Sequence, residues 1–230
     1  MLPRKFPESR LALPVAFSLP LAVLALALWV RADPGAPPFQ GFDDAWLGLM
    51  GSSDRDGPLW TTAVGFDRLG GWVGRIIEAA IVIVLLARWR WRSALFFAAA
   101  LVAGHLVTEG FKLIGQRPRP ADRMIEIASL SFPSGHASHE AAFVVALAVV
   151  AIPVAASRWW WPAATVLVLA MMWSRTWLHA HWPSDTIGGV ATGIGVALLC
   201  WWAFSPLLDR ERKWREGPAH GDDVPTPSTA

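Results

Sequence analysis

The fold of this 230-residue chain is decided by a stretch that reads PSGHASHEAAFVVALAVVAIPVAA, residues 133–156. Residues that favour a helix start come first, and an apolar run of helix length follows them. One crossing of a lipid bilayer needs roughly 20 mainly apolar residues. We therefore expect a membrane-spanning helix that carries His136 in its first turn, at the membrane surface.

The rest of the chain is similarly apolar. Hydrophobic residues make up 54% of it and its mean hydropathy is +0.39, which is unusual for a soluble protein. Candidate spans of suitable length lie at residues 11–30, 71–87, 93–114, 136–156, 162–178 and 184–205. The sequence thus predicts an all-α fold, a polytopic membrane helical bundle with six transmembrane helices.

One domain accounts for this pattern. We expect a cytoplasmic N-terminus at residues 1–10, a six-helix membrane domain at 11–206 and a cytoplasmic polar tail at 207–230. The first apolar segment is longer than the ~7–15 residues of a signal-peptide core, so it predicts an uncleaved anchor. Residues 33–40 and 216–230 are rich in Pro, Gly and small polar residues, which favours a loop and a disordered tail.

The distribution of Arg and Lys predicts the orientation. If six helices alternate, one face receives Arg4, Lys5, Arg10, Arg88, Arg90, Arg92, Arg158, Arg210, Arg212, Lys213 and Arg215. Loops rich in Lys and Arg stay in the cytoplasm, which places both termini inside. The helix ends at Lys112 and His136, and the connection from Ser174 to Asp185, then lie at the outer face. The Arg-rich, Asn-free composition indicates a GC-rich bacterial genome and hence a plasma (inner) membrane.

Charge and cysteine content add exclusions. The formal net charge is only +2, so nothing predicts a nucleic-acid partner, and the basic helix ends are explained by anionic membrane lipids. The single cysteine, Cys200, cannot form an intramolecular disulfide. The oligomeric state is left open.

Three short motifs bring polar groups into this apolar chain. Lys112 precedes Arg119-Pro120, a Pro-Ser-Gly-His run ends at His136, and Ser174-Arg175 precedes His181 and Asp185. Arg and Lys can neutralise phosphate oxygens, one histidine can attack or donate a proton, and a carboxylate can orient the attacking ring. The motifs therefore predict a phosphate site on residues 112–185.

Local spacing supports such a site. Ser134 is suited to cap the fourth span and Pro183 to open the sixth, which leaves helix N-termini facing an anion. Asp185 follows His181 by four residues and can reach back to one ring nitrogen, leaving the other free as a nucleophile. His179 lies six residues from Asp185 and is less suited to this role.

Read in order, the motifs resemble the signature of the type 2 phosphatidate phosphatase superfamily. They read Lys-x6-Arg-Pro, Pro-Ser-Gly-His and Ser-Arg-x5-His-x3-Asp, and all eleven specified positions match. The predicted helices make the chain similar to the integral-membrane lipid phosphatase branch. Soluble acid phosphatases and vanadium haloperoxidases share the motifs, but six spans argue against both.

The resemblance implies a role for each motif residue. His181 would attack phosphorus and form a phosphohistidine, Asp185 would orient it, and His136 would serve as acid and then as base. The phosphate oxygens would be held by Lys112, Arg119, Ser134, Gly135 and Arg175. No cofactor and no metal are expected, because three cations supply the positive charge.

The expected substrate is a lipid phosphate in the outer leaflet, such as phosphatidate, phosphatidylglycerol phosphate or undecaprenyl diphosphate. Arg117 and Arg123 flank Arg119 and could meet the second phosphate of a diphosphate. A lipid phosphotransferase on the same fold is an alternative. So are a non-enzymatic carrier and a metal-dependent membrane hydrolase built on His136, His139, His179, His181 and Glu140.

Other residues of the spans have structural interpretations. Glu109 can pair with Lys112, and Arg75 with Glu78, at helical spacing. His139 and Glu140 could orient the acid, contact a headgroup or bond between helices. Small residues in the sixth span predict close helix packing, at Gly188, Gly189, Gly193 and Gly195.

Overall fold

The computed structural model describes residues 2–5, 11–50 and 55–216. In this part of the chain all regular structure is helical, which confirms the predicted all-α class. The helices are α1 (Ala12–Ala32), α2 (Gln40–Met50), α3 (Pro58–Arg68), α4 (Gly74–Ala87), α5 (Trp91–Gly115), α6 (Gly135–Val150), α7 (Ser157–Trp177) and α8 (Pro183–Glu216).

Several helices suit a bilayer. Within the described ranges, four helical segments are long and apolar enough to cross a membrane: Ala12–Ala32, Pro58–Ala87, Trp91–Gly115 and Pro183–Glu216. Helix α6 is apolar but has only 16 residues, and α7 has 21. The chain is thus an integral membrane protein, while the count of six spans stays a prediction.

Two predicted span boundaries fall elsewhere for identifiable reasons. The second span begins at Pro58, because α3 continues into α4 through a π-helical segment, Leu69–Val73, that bends at Gly71. Asp67 and Arg68 are charged and lower the local hydropathy, so the sequence pattern placed the start of this span at residue 71 instead. Helix α6 ends at Val150 because Pro153, which follows shortly, cannot continue a helix.

The C-terminal boundary also differs. Helix α8 runs past residue 205 to Glu216, and its last turns are bridged by Arg212, which lies 2.8 Å from Asp209 and 3.8 Å from Glu216. The first ten residues of the predicted polar tail are therefore helical, and residues 217–230 lie outside the described residues. In the predicted loop 33–40, helix begins only at Gln40.

The predicted grouping of basic loops at one end of the bundle is confirmed. Arg4 donates to the carbonyl of Ile152 at 3.2 Å, Arg90 pairs with Glu211 at 3.0 Å, and Arg215 donates to the carbonyl of Arg88. These contacts join the N-terminal residues, the α4–α5 and α6–α7 connections and the end of α8. The motif residues lie at the opposite ends of the same helices. Arg10 lies outside the described residues.

Helix α8 lies at the centre and contacts α1, α5 and α6. Its glycines make this possible, as predicted. A Cβ at Gly193 would stand 2.0 Å from the carbonyl oxygen of Ser138, and one at Gly195 would stand 2.5 Å from Pro20. Nearer the motif residues, a Cβ at Gly189 would stand 2.5 Å from the carbonyl oxygen of Ser134, so the N-terminal parts of α6 and α8 also approach closely.

We expect Gly193→Ala to lower the midpoint of thermal unfolding in detergent. The added methyl group meets α6 backbone, and overpacking of this kind costs about 1–3 kcal/mol. Gly110→Ala is the matched control, because a Cβ at Gly110 has nothing within 4 Å. Tryptophan fluorescence can follow the unfolding of both variants. Equal midpoints would contradict the close α6–α8 packing.

Candidate active site

The structure brings the three motifs together around one cavity of about 520 Å³. Six of the eight predicted site residues line it: Lys112, Arg119, Gly135, His136, Arg175 and His181. The other two, Ser134 and Asp185, are fully buried. Ser134 accepts a hydrogen bond from the first turn of α6, and Asp185 contacts the His181 ring. The predicted set therefore forms one site at the ends of α5, α6, α7 and α8.

The N-terminus of α6 forms one wall. Ser134 is its N-cap, and the Ser134 hydroxyl accepts the backbone N–H of Ala137. A Cβ at Gly135 would stand 3.5 Å from Nζ of Lys112, so the lysine reaches this helix end. Lys112 is held by Glu109 at 2.7 Å, as predicted. Free N–H groups beside a cation make an anion-binding position.

His181 lies on the opposite wall, just before α8. Its Nδ1 is 3.4 Å from Oδ2 of Asp185, and its Nε2 is 2.9 Å from Nη1 of Arg119. Because Nδ1 faces a carboxylate acceptor and Nε2 faces an arginine donor, we assign the ring proton to Nδ1 and the lone pair to Nε2. Burial, reinforced by Arg119, Arg175 and Lys112, holds the pKa of His181 well below 6.5. The ring is neutral at neutral pH.

His179 is turned away from this arrangement. Its Nδ1 lies 2.6 Å from Oδ2 of Asp122, on the loop before α6. The preference for His181 over His179 as the partner of Asp185 is thus confirmed in geometry. Their catalytic roles stay a prediction.

Arg175 is a buried cation with donors to spare. Its Nη1 donates to Asp67, while Nε and Nη2 have no hydrogen-bond partner among the described residues. Because Arg175 also lines the cavity, these two nitrogens are available to an anion there. Unpaired buried donors are costly, so their presence favours a ligand.

Asp67 is a site residue that the sequence did not reveal. It lies at the end of α3, outside all three motifs, and its carboxylate stands between Arg175 and His136. Nε2 of His136 is 3.2 Å from the Asp67 carbonyl oxygen and 3.5 Å from its carboxylate. The bend at Gly71 follows directly. No motif spacing connects residue 67 with the motifs, so no signal could have found it.

Arg119 is fixed by the backbone around it. It donates to the carbonyls of Ser129 at 2.7 Å and Leu130 at 3.1 Å, and to the Ser129 hydroxyl at 2.9 Å. Burial, and then the nearby charge of Arg175, lowers the pKa of Arg119 to about 10. The guanidinium stays protonated at neutral pH and is a rigid cation beside His181.

Arg117 is the largest departure from expectation. Its side chain is 0% exposed and spans two carboxylates, with Nη1 2.8 Å from Asp185 and Nη2 2.6 Å from Asp43. The rings of Phe39 and Trp182 lie 5.3 and 5.2 Å from its Cζ. The expectation that Arg117 meets a second phosphate is therefore wrong, because both of its terminal nitrogens are engaged behind the site. Arg123 lies 3.9 Å from Glu126 instead.

Asp43 and Ser131 complete this buried group. Asp43 accepts the backbone N–H of Ser184 at 2.9 Å and its hydroxyl at 2.6 Å, which ties α2 to the first turn of α8. Ser131 and the N–H of Trp182 both donate to Oδ2 of Asp185. Asp43 comes from α2 and Ser131 from the loop before α6, so sequence spacing could not group them. The only sequence feature that pointed to this group was a second Arg-Pro pair, Arg117-Pro118, directly before Arg119-Pro120.

The histidine cluster of the hypothetical metal-dependent hydrolase is not assembled. Among the described residues, no group of three or more His, Cys, Asp or Glu is placed to hold a metal ion. His179 contacts Asp122, and His139 contacts Glu78. Each of these two histidines thus has its own carboxylate.

Comparisons with known proteins agree with this geometry. The PAP2 superfamily profile matches residues 93–208. Decaprenylphosphoryl-5-phosphoribose phosphatase of Mycobacterium tuberculosis is 32% identical over 152 residues, which cover 64% of this chain and 80% of that protein. Undecaprenyl-diphosphatase of Sulfolobus acidocaldarius is 28% identical over 82 residues, 36% of this chain and 34% of that protein.

A solved structure has the same fold. It is the crystal structure of a transmembrane PAP2-type phosphatidylglycerolphosphate phosphatase from Bacillus subtilis, with a TM-score of 0.65 and 21% identity. The superposition covers 84% of this chain and 97% of that one. Helix architecture is therefore shared along nearly the whole length of that protein.

We expect Arg117→Ala to destabilise the protein strongly. The substitution leaves Asp43 and Asp185 buried without their shared cation, and breaking a buried pair in this way costs about 3–5 kcal/mol. Arg123→Ala is the control on the same loop and should unfold close to the wild-type temperature, because its ion pair is long and exposed. A wild-type midpoint for Arg117→Ala would show that the ion array is not needed.

Proposed function

The chain belongs to the PAP2 superfamily, and on this premise we propose that it is a membrane phosphatase that hydrolyses the phosphate headgroup of a lipid. Its named relatives are a phosphatase and a diphosphatase, and it is a phosphoric ester hydrolase like them. The observation that carries the proposal is the cavity lined by Lys112, Arg119, His136, Arg175 and His181. These are the groups that attack on phosphorus requires.

The proposed reaction has two steps. Nε2 of His181 attacks phosphorus, the bond to the leaving oxygen breaks, and His136 gives that oxygen a proton. Asp185 keeps the Nδ1 proton in place and stabilises the charged ring. Water then attacks the phosphohistidine, His136 takes a proton from this water, and the P–N bond breaks to release phosphate and His181.

The cations serve the equatorial oxygens of the phosphate. Nε and Nη2 of Arg175 have no hydrogen-bond partner within the described chain, so an oxygen can bind there while Nη1 keeps Asp67. Lys112 is available from α5, and the Ser134 hydroxyl and the Gly135 N–H are available from the start of α6. The N–H of Ser134 instead donates to the carbonyl of Asp185 at 2.9 Å. Arg119 lies on the facing loop. Three fixed cations replace the charge that a metal would bring.

An apolar groove favours a lipid over a soluble ester. A second cavity of about 560 Å³ lies between α4 and α5 and is lined mainly by Ala79, Val82, Phe97, Ala98, Leu101 and Val102. It shares Arg75 and His105 with the polar cavity. A lipid chain can lie in this groove while its headgroup reaches His181.

Among lipids, polyprenyl phosphates and diphosphates are the leading candidates. Both relatives bear names of polyprenyl-linked phosphates. Phosphatidate and phosphatidylglycerol phosphate offer the same chemistry, a phosphate on a membrane-embedded chain. The deciding experiment measures phosphate release from all four classes in mixed micelles with EDTA present, against glucose 6-phosphate. Equal kcat/KM for lipid and sugar phosphates, or complete dependence on added metal, would overturn the proposal.

We expect His181→Ala to lower kcat at least about 1,000-fold, because it removes the nucleophile. His179→Ala, which touches Asp122 rather than Asp185, should keep most activity. Acid-quenched wild-type enzyme should retain labelled phosphate in an acid-labile bond, and His181→Ala should not. The opposite ranking of the two variants would assign the nucleophile to His179.

The groove can be tested separately from the chemistry. Ala98→Trp fills the space between α4 and α5, and losing the burial of about two methylene groups lowers kcat/KM for the lipid about tenfold. Turnover of soluble p-nitrophenyl phosphate should not change. Leu106→Trp is the control, because Leu106 is exposed on the same helix and lines neither cavity. Equal losses with both substrates would argue against a lipid in the groove.

The proposed enzyme acts at the outer face of a bacterial plasma (inner) membrane, with both termini in the cytoplasm. Support comes from the Arg and Lys residues that gather at the end opposite the cavity. In a Cys200→Ser background, Glu126→Cys should react with an impermeant thiol reagent in intact cells, and Lys213→Cys only after lysis. Both positions are solvent-exposed, so access to the reagent decides the result. The reverse pattern would place the site inside.

A further inference from the structure

Arg75 is a cation that the proposed reaction does not use. It lies on α4 inside the spanning segment Pro58–Ala87, yet its side chain is 51% exposed. It is also one of two residues that line both the polar cavity and the apolar groove, and the other is His105. A charge within a spanning segment is costly and is retained for a specific contact.

The contacts of Arg75 hold it but do not saturate it. Its Nη1 lies 3.3 Å from Oε2 of Glu78 and 2.8 Å from Nε2 of His139, and Glu78 also bonds to His139. All of these contacts use Nη1. Arginine carries five N–H donors, and no hydrogen bond joins Nε or Nη2 of Arg75 to another described residue, so these two nitrogens remain for a ligand. Glu78 does not line the polar cavity, and it lines the apolar groove together with Arg75.

The position of Arg75 along the membrane normal is set by α6. His139 follows His136 by three residues, which is nearly one helical turn, or about 5 Å, farther from the mouth of the site. The guanidinium bonded to His139 therefore lies deeper than His136. It stands where the polar cavity ends and the apolar groove begins.

A lipid bound for hydrolysis would place particular atoms at this boundary. Its terminal phosphate would lie against His181 and Arg175, and its chain would lie along Ala98 and Leu101. In a lipid with two phosphates, the inner one lies between those positions. The polar cavity of about 520 Å³ is lined by both His181 and Arg75, so it extends over the position of the inner phosphate.

We propose that Arg75, with His105 beside it, forms a second anion subsite that binds the inner, non-scissile phosphate of a two-phosphate lipid. The proposal rests on the proposed function and narrows its substrate class to diphosphates and to lipids that combine a phosphodiester with a terminal phosphate. It also relocates the second phosphate, since Arg117 is committed to Asp43 and Asp185. Specificity for two phosphates thus comes from a residue outside the three motifs.

The test compares the monophosphate and the diphosphate of one polyprenyl alcohol in mixed micelles. Arg75→Gln should lower kcat/KM for the diphosphate about tenfold or more, which is the loss expected for a charge-assisted hydrogen bond. The monophosphate should change less than about threefold, which also shows that the variant is folded. Arg75→Lys should keep most of the preference for the diphosphate. Arg68→Gln removes an equal charge from an exposed residue that lines the same polar cavity, and it should leave the ratio unchanged.

Each other outcome overturns the subsite. An unchanged ratio in Arg75→Gln, equal losses on both lipids, or an equal drop of the ratio in Arg68→Gln would assign Arg75 a structural or long-range role. If the wild type releases phosphate from no lipid, the proposed function fails by itself. The subsite is then tested by thermal shift: inorganic diphosphate should stabilise the wild type more than phosphate does, and Arg75→Gln should abolish that difference. Equal shifts in the wild type would refute it.

Discussion

The candidate active site depends on a carboxylate that no water reaches. Asp185 is fully buried, and the cost of burying its charge is offset by Arg117 at 2.8 Å and by donors from Ser131 and Trp182. Arg117 in turn needs Asp43, on α2, to balance it. This array joins α2, the loop after α5 and the first turn of α8, and it fixes the carboxylate that orients His181. The cations that line the cavity, Arg119 and Arg175 among them, therefore face a His181 ring that is held in one orientation.

The arginines near the site differ in how many of their side-chain nitrogens already have a hydrogen-bond partner. Arg117 has both terminal nitrogens committed and is structural. Arg175 and Arg75 each bond through Nη1, their other two side-chain nitrogens have no hydrogen-bond partner among the described residues, and both line the polar cavity. These three arginines thus differ in their bonding rather than in residue type. Arg119, whose side-chain nitrogens all bond to neighbouring groups, is held beside His181 as a fixed charge. A planar guanidinium suits both tasks, because it can pair with one group and still present donors to another.

The motif residues could be predicted because their spacing is local. Helix N-caps, the His181–Asp185 spacing and the Glu109–Lys112 pair all depend on a turn or two of backbone, and the structure has them as expected. Asp67, Asp43 and Ser131 could not be predicted. They reach the site from separate segments by long-range packing, and nothing in their own neighbourhoods marks them. For the same reason Arg117 and Arg119, two residues apart, were expected to act together and instead face different partners.

The sequence by itself determined the helical class, the apolar segments, the grouping of basic loops and the eight candidate site residues within the motifs, because each follows from hydropathy, charge or short-range spacing. Only the tertiary structure decided that α3 continues into α4, that Arg117 lies behind the site, and that a polar cavity meets an apolar groove at Arg75 and His105. Cavities and buried ion arrays exist between helices, and the way helices approach one another depends on packing that no single segment encodes. Gly193 illustrates the limit: its spacing predicts a close contact, but only the fold identifies Ser138 as the partner.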